Sequence, residues 1–197
     1  MTSSDKSAPY ADRSYRSAAG IAGGVLMLAL GLWLGGDAVI GGHGRTPWIA
    51  LAGLLLAVPL VVAFTLRPVV FAGDQRLRVR NPFRTITAPW GAVEDIRSGY
   101  STVLFAGGRK YQVWAIPVSL RARKSAARRS ARAGAMAAGD DAVRAWSDQA
   151  VDEIRELRDR HAGGEAGQGE VSVRWAYEVI GPAAAGAVVL GILLAVG

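Results

Sequence analysis

The chain has 197 residues, is 51% hydrophobic and carries a formal net charge of +7; this pairing points to a membrane component joined to a basic polar part. It contains no cysteine, which excludes disulfides, cysteine-bound iron–sulfur clusters and thiolate zinc sites. The charge is unevenly placed: residues 67–174 hold 19 Lys and Arg against 12 Asp and Glu, so that segment alone accounts for the net charge.

Residues 1–16 are polar and Ser-rich, with Lys6, Arg13 and Arg16 ahead of the first apolar run, and read as a disordered tail. The first transmembrane helix is expected at about 17–36. It has no charged residue from 17 to 34 and is long enough for a hydrocarbon core of ~30 Å. A secretory signal peptide shares the basic flank and apolar run. The length of the run, the absence of an A-x-A site after it and the second apolar segment close behind favour a span. A Gly-rich connection follows, with Asp37, His43 and Arg45. The second span is expected at 48–66, about 28 Å at the helical rise. Trp48 anchors one end, Arg67 closes the other and Pro59 kinks it. A third span at 175–196 has Trp175 and Tyr177 at its charged end and Glu178 placed to snorkel.

Between the second and third spans, residues 67–117 read as short β-strands. VVF, RLRVR, RTITAPW, AVEDIRSGYSTVLF, broken at Ser98-Gly99, and RKYQVWAI are punctuated by Gly73-Asp74, Asn81-Pro82 and Gly107-Gly108, which predicts an antiparallel meander. Residues 119–138 then carry Arg121, Arg123, Lys124, Arg128, Arg129 and Arg132 and no acid, closing a domain at 67–138. Asp140-Asp141 starts an amphipathic helix at 139–162. Val143, Trp146, Ala150, Ile154 and Leu157 form its apolar stripe, placed to cover the sheet. Arg155 with Asp159 and Glu156 with Arg160 are i,i+4 pairs on its wet side. Gly163-Gly164 ends the helix, and a polar linker at 163–174 leads to the third span. Three spans put the chain ends on opposite sides. The positive-inside rule then makes the basic tail and the 67–174 segment cytoplasmic, with the loop between the first two spans and the carboxyl end outside a plasma (inner) membrane.

The run LRVRNPFRTITAPWGAVEDI, the hairpin LFAGGRKYQVWAI and the basic stretch after them resemble the bacterial PH-like domain of small actinobacterial membrane proteins of the low molecular weight protein antigen 6 type. The resemblance covers residues 69–133 and is carried by Arg80-Asn81-Pro82, Trp90 and the Trp114 strand. It implies an α+β membrane protein: a PH-like antiparallel β-meander or barrel with a C-terminal amphipathic helix, plus about three transmembrane helices. The order it implies is two membrane helices followed by the PH-like domain, so the span at 175–196 is an extension. In PH domains that bind phosphoinositides, basic residues near the first two strands carry the headgroup, and Arg76, Arg78 and Arg80 are similarly placed.

Those three arginines alternate with Leu77 and Val79, so their guanidiniums share one strand face. The pattern suits phosphate groups; a solvated outer sheet face would produce it too. The stretch with Arg121, Arg123, Lys124, Arg128 and Arg129 can lie on anionic lipid at ~1 kcal/mol per charge, or can serve only to fix topology. Trp90, Trp114, Tyr111 and Phe105 fall at strand positions and read as sheet core. Glu94 and Asp95 are adjacent on a strand and face opposite ways, which makes a poor acid–base pair. His43 and His161 have no second ligand at metal spacing. Gly107-Gly108 is a hairpin turn rather than a phosphate loop. There is no G-x-S-x-G elbow and no carboxylate deep in a span, so no enzyme, metal or cofactor is expected. The small-residue spacings Gly20/Gly24 and Ala183/Ala187/Gly191 suit close helix approach and self-association. The expected function is a non-enzymatic interaction module for a protein partner or anionic lipid headgroups. The alternative is an accessory or regulatory subunit of a membrane transport or lipid-processing complex. Nucleic acid is not an expected partner, because the basic residues interleave little with exposed aromatics on a membrane-tethered domain.

Overall fold

Strands alternating with short turns and long apolar helices make up the computed structural model, which describes residues 13–98, 101–116, 138–164 and 167–196, without the side chains of 138–145. The chain separates into two units. One comprises Met1–Arg16, Val69–Val79 and Ile86–Ser172, and the other Ser17–Pro68, Arg80–Thr85 and Val173–Gly197.

The strands are β1 (Arg13–Tyr15), β2 (Val69–Ala72), β3 (Arg76–Arg80), β4 (Arg84–Pro89), β5 (Val93–Ser98), β6 (Thr102–Ala106), β7 (Arg109–Val113) and β8 (Ser172–Trp175). They form two antiparallel sheets rather than one meander: a five-stranded sheet in the order β1-β2-β3-β4-β8 and a three-stranded sheet β5-β6-β7. The break falls at the 3-10 turn Trp90–Ala92. Pro89 has no N–H to continue the ladder, so the strand ends there. The fully buried Trp90 indole then donates to the Gly73 carbonyl at 2.8 Å. Gly107 and Gly108, both at positive φ, turn β6 back onto β7, as a tight hairpin requires.

Two strands lie where the sequence predicts none. Arg13–Tyr15, read as part of a disordered tail, pairs with β2 in the register Ser14↔Phe71 and Tyr15↔Val70. The Tyr15 hydroxyl donates to Glu153 at 2.9 Å, and Arg13 lies 3.8 Å from the same carboxylate. Ser172–Trp175, read as the end of the linker and the first residue of the third span, is the opposite edge strand of that sheet. Strands of three or four residues are too short to show a period.

The core of this unit joins Leu77, Val79, Ile86, Trp90, Ile96, Leu104 and Val113 to Ala150, Val151, Ile154 and Leu157 of helix α3 (Ala138–His161). Each such fully buried aliphatic or aromatic side chain contributes ~1.5–3 kcal/mol by leaving water. Trp146 packs half-buried at the margin, so the predicted stripe is the packing face, with Val151 added. The Val143 side chain lies outside the described residues. The pair Glu156–Arg160 forms at 2.8 Å, whereas Arg155 does not pair with Asp159. Its Nε donates to the Ile96 carbonyl at 3.0 Å and its Nη1 to Asp152 at 3.2 Å, while Arg158 takes Asp159. Arg155 borders the packing face, where its Nε also lies 3.7 Å from the Asp95 carboxylate.

In the other unit, α1 (Ala18–Gly41) is capped by the Ser17 hydroxyl, which accepts from Gly20 N at 3.1 Å. Helix α2 (Thr46–Val61) contains Pro59 and runs on into a π-helical turn, Val62–Leu66. Helix α4 is Tyr177–Ala195. Ala18–Gly41, Thr46–Leu66 and Tyr177–Ala195 are each long and apolar enough to cross a membrane. Arg45 Nη2 donates to the Leu193 carbonyl, so the start of α2 lies at the end of α4. The helices meet at glycines. A Cβ at Gly24 would come 2.1 Å from the Thr65 hydroxyl oxygen, and one at Gly186 would come 2.5 Å from Leu56 N. Gly24 is thus used within the chain rather than on a self-association face. On α4, Ala183 is buried whereas Ala187 and Gly191 are exposed.

Candidate functional site

Strand β3 lies in the middle of its sheet, between β2 and β4. Leu77 and Val79 are fully buried, Arg76 is exposed, and Arg78 and Arg80 are half-buried. The three guanidiniums therefore share the outer face, spaced roughly 7 Å apart along the strand. On β4, Ile86 and Ala88 are buried, leaving Thr85 and Thr87 half-buried on the outer side. The strands of this sheet contain six arginines, Arg13, Arg76, Arg78, Arg80, Arg84 and Arg174, and not one carboxylate. Parity puts Arg76, Arg78 and Arg80 on the outer face and Arg13 and Arg84 on the side of buried Tyr15, Ile86 and Ala88; guanidiniums are the side chains suited to binding phosphate oxygens in bidentate fashion.

Arg76 and Arg78 belong to the first unit and Arg80 to the second. Arg121, Arg123, Lys124, Arg128 and Arg129 lie outside the described residues.

Of the four aromatic residues read as sheet core, Trp90 and Tyr111 are buried, Phe105 is half-buried and Trp114 is 47% exposed. Strand β7 ends at Val113, and Trp114 continues the outward parity of Lys110 and Gln112. On the same outer face the Arg97 guanidinium carbon stands 5.3 Å and Lys110 Nζ 5.7 Å from the Phe105 ring centre, both at cation–π distance. Phe105 therefore supports two cations on the surface of the three-stranded sheet.

The β5–β6 ladder is irregular between Val93 and Asp95, at Glu94, and the two adjacent carboxylates serve different partners. Glu94 accepts from Gly108 N at 2.6 Å; Asp95 accepts from Arg97 Nε at 2.5 Å and Ile96 N at 2.7 Å. The Arg97 hydrogen bond holds the Asp95 carboxyl below its usual range. Neither carboxylate is arranged for proton transfer with the other. Among the described residues no three His, Asp or Glu side chains converge to hold a metal ion.

The helical unit contains a polar junction that the sequence did not point to. Arg67, at the end of the α2 extension, makes an ion pair with Glu178 at 2.6 Å. Its Nε donates to the Asn81 carbonyl at 3.2 Å and its Nη2 to the Thr85 hydroxyl at 3.5 Å. Phe83 meets Phe64 edge-to-face, with ring centres 5.3 Å apart, and accepts from Ala176 N at 2.9 Å. Glu178, expected to snorkel, is held by Arg67. The usable signal was positional: Arg67 directly follows one long apolar run and Glu178 stands in the first turn of another.

Residues 67–160 match the family model described as "Bacterial PH domain", and this segment is a PH-like domain. No curated protein matches the chain, and no solved structure matches it either.

Proposed function

We propose that the PH-like domain is a non-enzymatic interaction module held at a membrane by the three apolar helices, and that it receives anionic lipid headgroups on the outer face of its five-stranded sheet. The supporting observation is the composition of that sheet: six arginines and no carboxylate in its strands, three of the arginines on one face of β3. Arg76, Arg78 and Arg80 are the contact residues. Arg121, Arg123, Lys124, Arg128 and Arg129 add a second cationic stretch in the chain that follows. In this reading the protein is a multi-pass plasma-membrane protein of the actinobacterial low molecular weight protein antigen 6 type. Its domain plan is a tail, two spans, the PH-like domain with its helix, a linker and a third span, with the domain cytoplasmic by the positive-inside rule.

A protein partner is the second reading. It is favoured by the outer face of the three-stranded sheet, where exposed Trp114 has the same outward parity as Lys110 of the Arg97–Phe105–Lys110 cluster, since aromatic and arginine side chains dominate protein interfaces.

Capture of the full chain, held in zwitterionic nanodiscs, by anionic or neutral vesicles separates the two. Capture by anionic vesicles alone, lost in an R76A/R78A/R80A variant, is the expected result. Indifference to vesicle charge, together with crosslinking of a photoreactive residue at position 114 to a membrane protein, points to the second reading.

A further inference from the structure

The three apolar helices have neighbouring ends, and the turn between β3 and β4 is packed among them. A Cβ at Gly20 would stand 3.7 Å from the Thr65 carbonyl, and one at Gly24 would strike the Thr65 side chain, so the start of α1 lies beside the end of the α2 extension. Helix α4 begins at Tyr177, and Glu178 in its first turn meets Arg67 at 2.6 Å. Ser17, Arg67 and Glu178 therefore mark the polar limit of the spans at this end.

Phe83, in the β3–β4 turn, reaches to the apolar side of that limit. Its ring meets Phe64 edge-to-face at 5.3 Å and packs against the buried cluster of Ala63, Ala176 and Val179. Ala63 and Phe64 belong to the candidate span Thr46–Leu66, and Val179 to Tyr177–Ala195. Phe64 stands three residues before Arg67, roughly 4.5 Å along a helix.

The backbone of the turn suits a dry setting. Asn81 N–H donates to the Arg84 carbonyl at 2.8 Å, the Asn81 carbonyl accepts from Arg67 Nε at 3.2 Å, and the Phe83 carbonyl accepts from Ala176 N–H at 2.9 Å. Pro82 has no N–H to satisfy. Backbone groups at the edge of hydrocarbon must find partners within the protein, whereas a turn in water can leave them to solvent. The rings around the turn face outward: Phe64 is 43% exposed, and Trp175 and Tyr177, which flank Ala176, are 56% and 73% exposed. In water this is an apolar patch; at a bilayer surface it is the aromatic belt of a membrane protein.

We infer that the β3–β4 turn is a membrane-seated part of the PH-like domain. The Phe83 ring lies at the top of the hydrocarbon layer, and Phe64, Trp175 and Tyr177 contact lipid at the level of the glycerol groups and upper acyl chains. Bilayer lipid is the occupant because these rings continue the exposed apolar surface of the spans themselves. The inference rests on reading the three helices as membrane spans and deepens it: residues 81–84 fall within the segment 67–160 that matches the family, so the domain holds the bilayer through its own sheet turn as well as through its covalent connections.

The chain has no cysteine, so a single nitroxide can be placed without background on the full chain in phosphatidylcholine bilayers. Collision with oxygen, which partitions into hydrocarbon, is compared with collision with a water-soluble nickel chelate. Labels at Phe83→Cys and Tyr177→Cys are expected to give an oxygen-to-nickel ratio several-fold above that of Asp152→Cys, on the wet side of α3, and below that of Leu30→Cys, in the middle of α1. Phe83→Trp keeps an aromatic ring in the slot and supplies a second reading. By difference from the unsubstituted chain, its fluorescence should be quenched more by phosphatidylcholine brominated near the top of the acyl chain than by lipid brominated near its end. A nickel-dominated signal at positions 83 and 177, or no bromine quenching of Phe83→Trp, with the Leu30 label still in hydrocarbon, overturns the membrane seat and leaves the proposed function standing. Protection of the Tyr177 label from both oxygen and nickel shows that protein covers the rim and overturns the lipid assignment. Nickel access at the Leu30 label overturns the reading of the helices as spans, and this inference with it.

Discussion

The Arg67 guanidinium and the Glu178 carboxylate meet at 2.6 Å and tie the end of one apolar helix to the start of another across 111 positions of chain. The pair is unequal in burial: the Arg67 side chain is 17% exposed and the Glu178 side chain 62%. That asymmetry fixes what each substitution costs.

Arg67→Ala removes the ion pair together with the bonds to Asn81 and Thr85, and leaves the Asn81 carbonyl, on a residue 3% exposed, without that donor. A loss of about 1–3 kcal/mol is expected. Glu178→Gln keeps the shape and should cost under about 1 kcal/mol, because most of the carboxylate is in solvent. Chemical unfolding of the detergent-solubilised protein measures both. A larger cost for Glu178→Gln than for Arg67→Ala would contradict the assignment.

Helix contact in the spans depends on missing side chains. At Gly186 the obstacle is the backbone of Leu55 and Leu56, which cannot rotate aside, whereas at Gly24 it is the Thr65 side chain. Gly186→Val is therefore expected to destabilise by about 1–3 kcal/mol, while Ala187→Val on the exposed face stays within ~0.5 kcal/mol. Thermal unfolding of the two variants in one detergent makes the comparison.

Burial pushes the Tyr15 phenol up to about 12 from its ordinary 10.0, assisted by its hydrogen bond to Glu153. A folded-state value above the unfolded one means that the docking of β1 is at full strength below pH 10 and is lost as pH climbs toward 12. Phenolate absorbance should show one tyrosine titrating late, and that component should vanish in Tyr15→Phe. The variant also loses the hydrogen bond, about 0.5–1.5 kcal/mol.

Asp95 has the opposite sign. Its carboxyl lies below the usual range because Arg97 donates to it, with Ile96 N–H and Arg155 assisting. Its contribution is complete above the ordinary carboxylate range and fades as pH falls through the lowered folded value. Asp95→Asn should flatten the acid limb of the stability profile, and Arg97→Ala should do so partially. An unchanged acid limb in Asp95→Asn would show that other carboxylates control it.

Much of this was legible where a period was long enough to read. Leu77 and Val79 alternating with three arginines fixes the faces of β3, and Ala150, Ile154 and Leu157 fix the packing side of α3. Tyr15 was not legible as a core residue, since a three-residue strand shows no period and its partner Glu153 lies 138 positions away. The split into two sheets at Pro89 and Trp90 was also hidden, because RTITAPW reads as one strand until the Trp90 indole is seen to reach Gly73. Trp114 read as core because it falls within the strand run RKYQVWAI; in the structure β7 ends at Val113 and Trp114 takes the outward parity of Lys110 and Gln112.

The most direct test of the lipid reading is capture of the full chain, in zwitterionic nanodiscs, by anionic and neutral vesicles across a salt series. The account predicts capture by anionic vesicles that weakens steadily as salt rises and is lost when Arg76, Arg78 and Arg80 are replaced by Ala. Capture that ignores vesicle charge, or that persists undiminished in the triple variant, would contradict it.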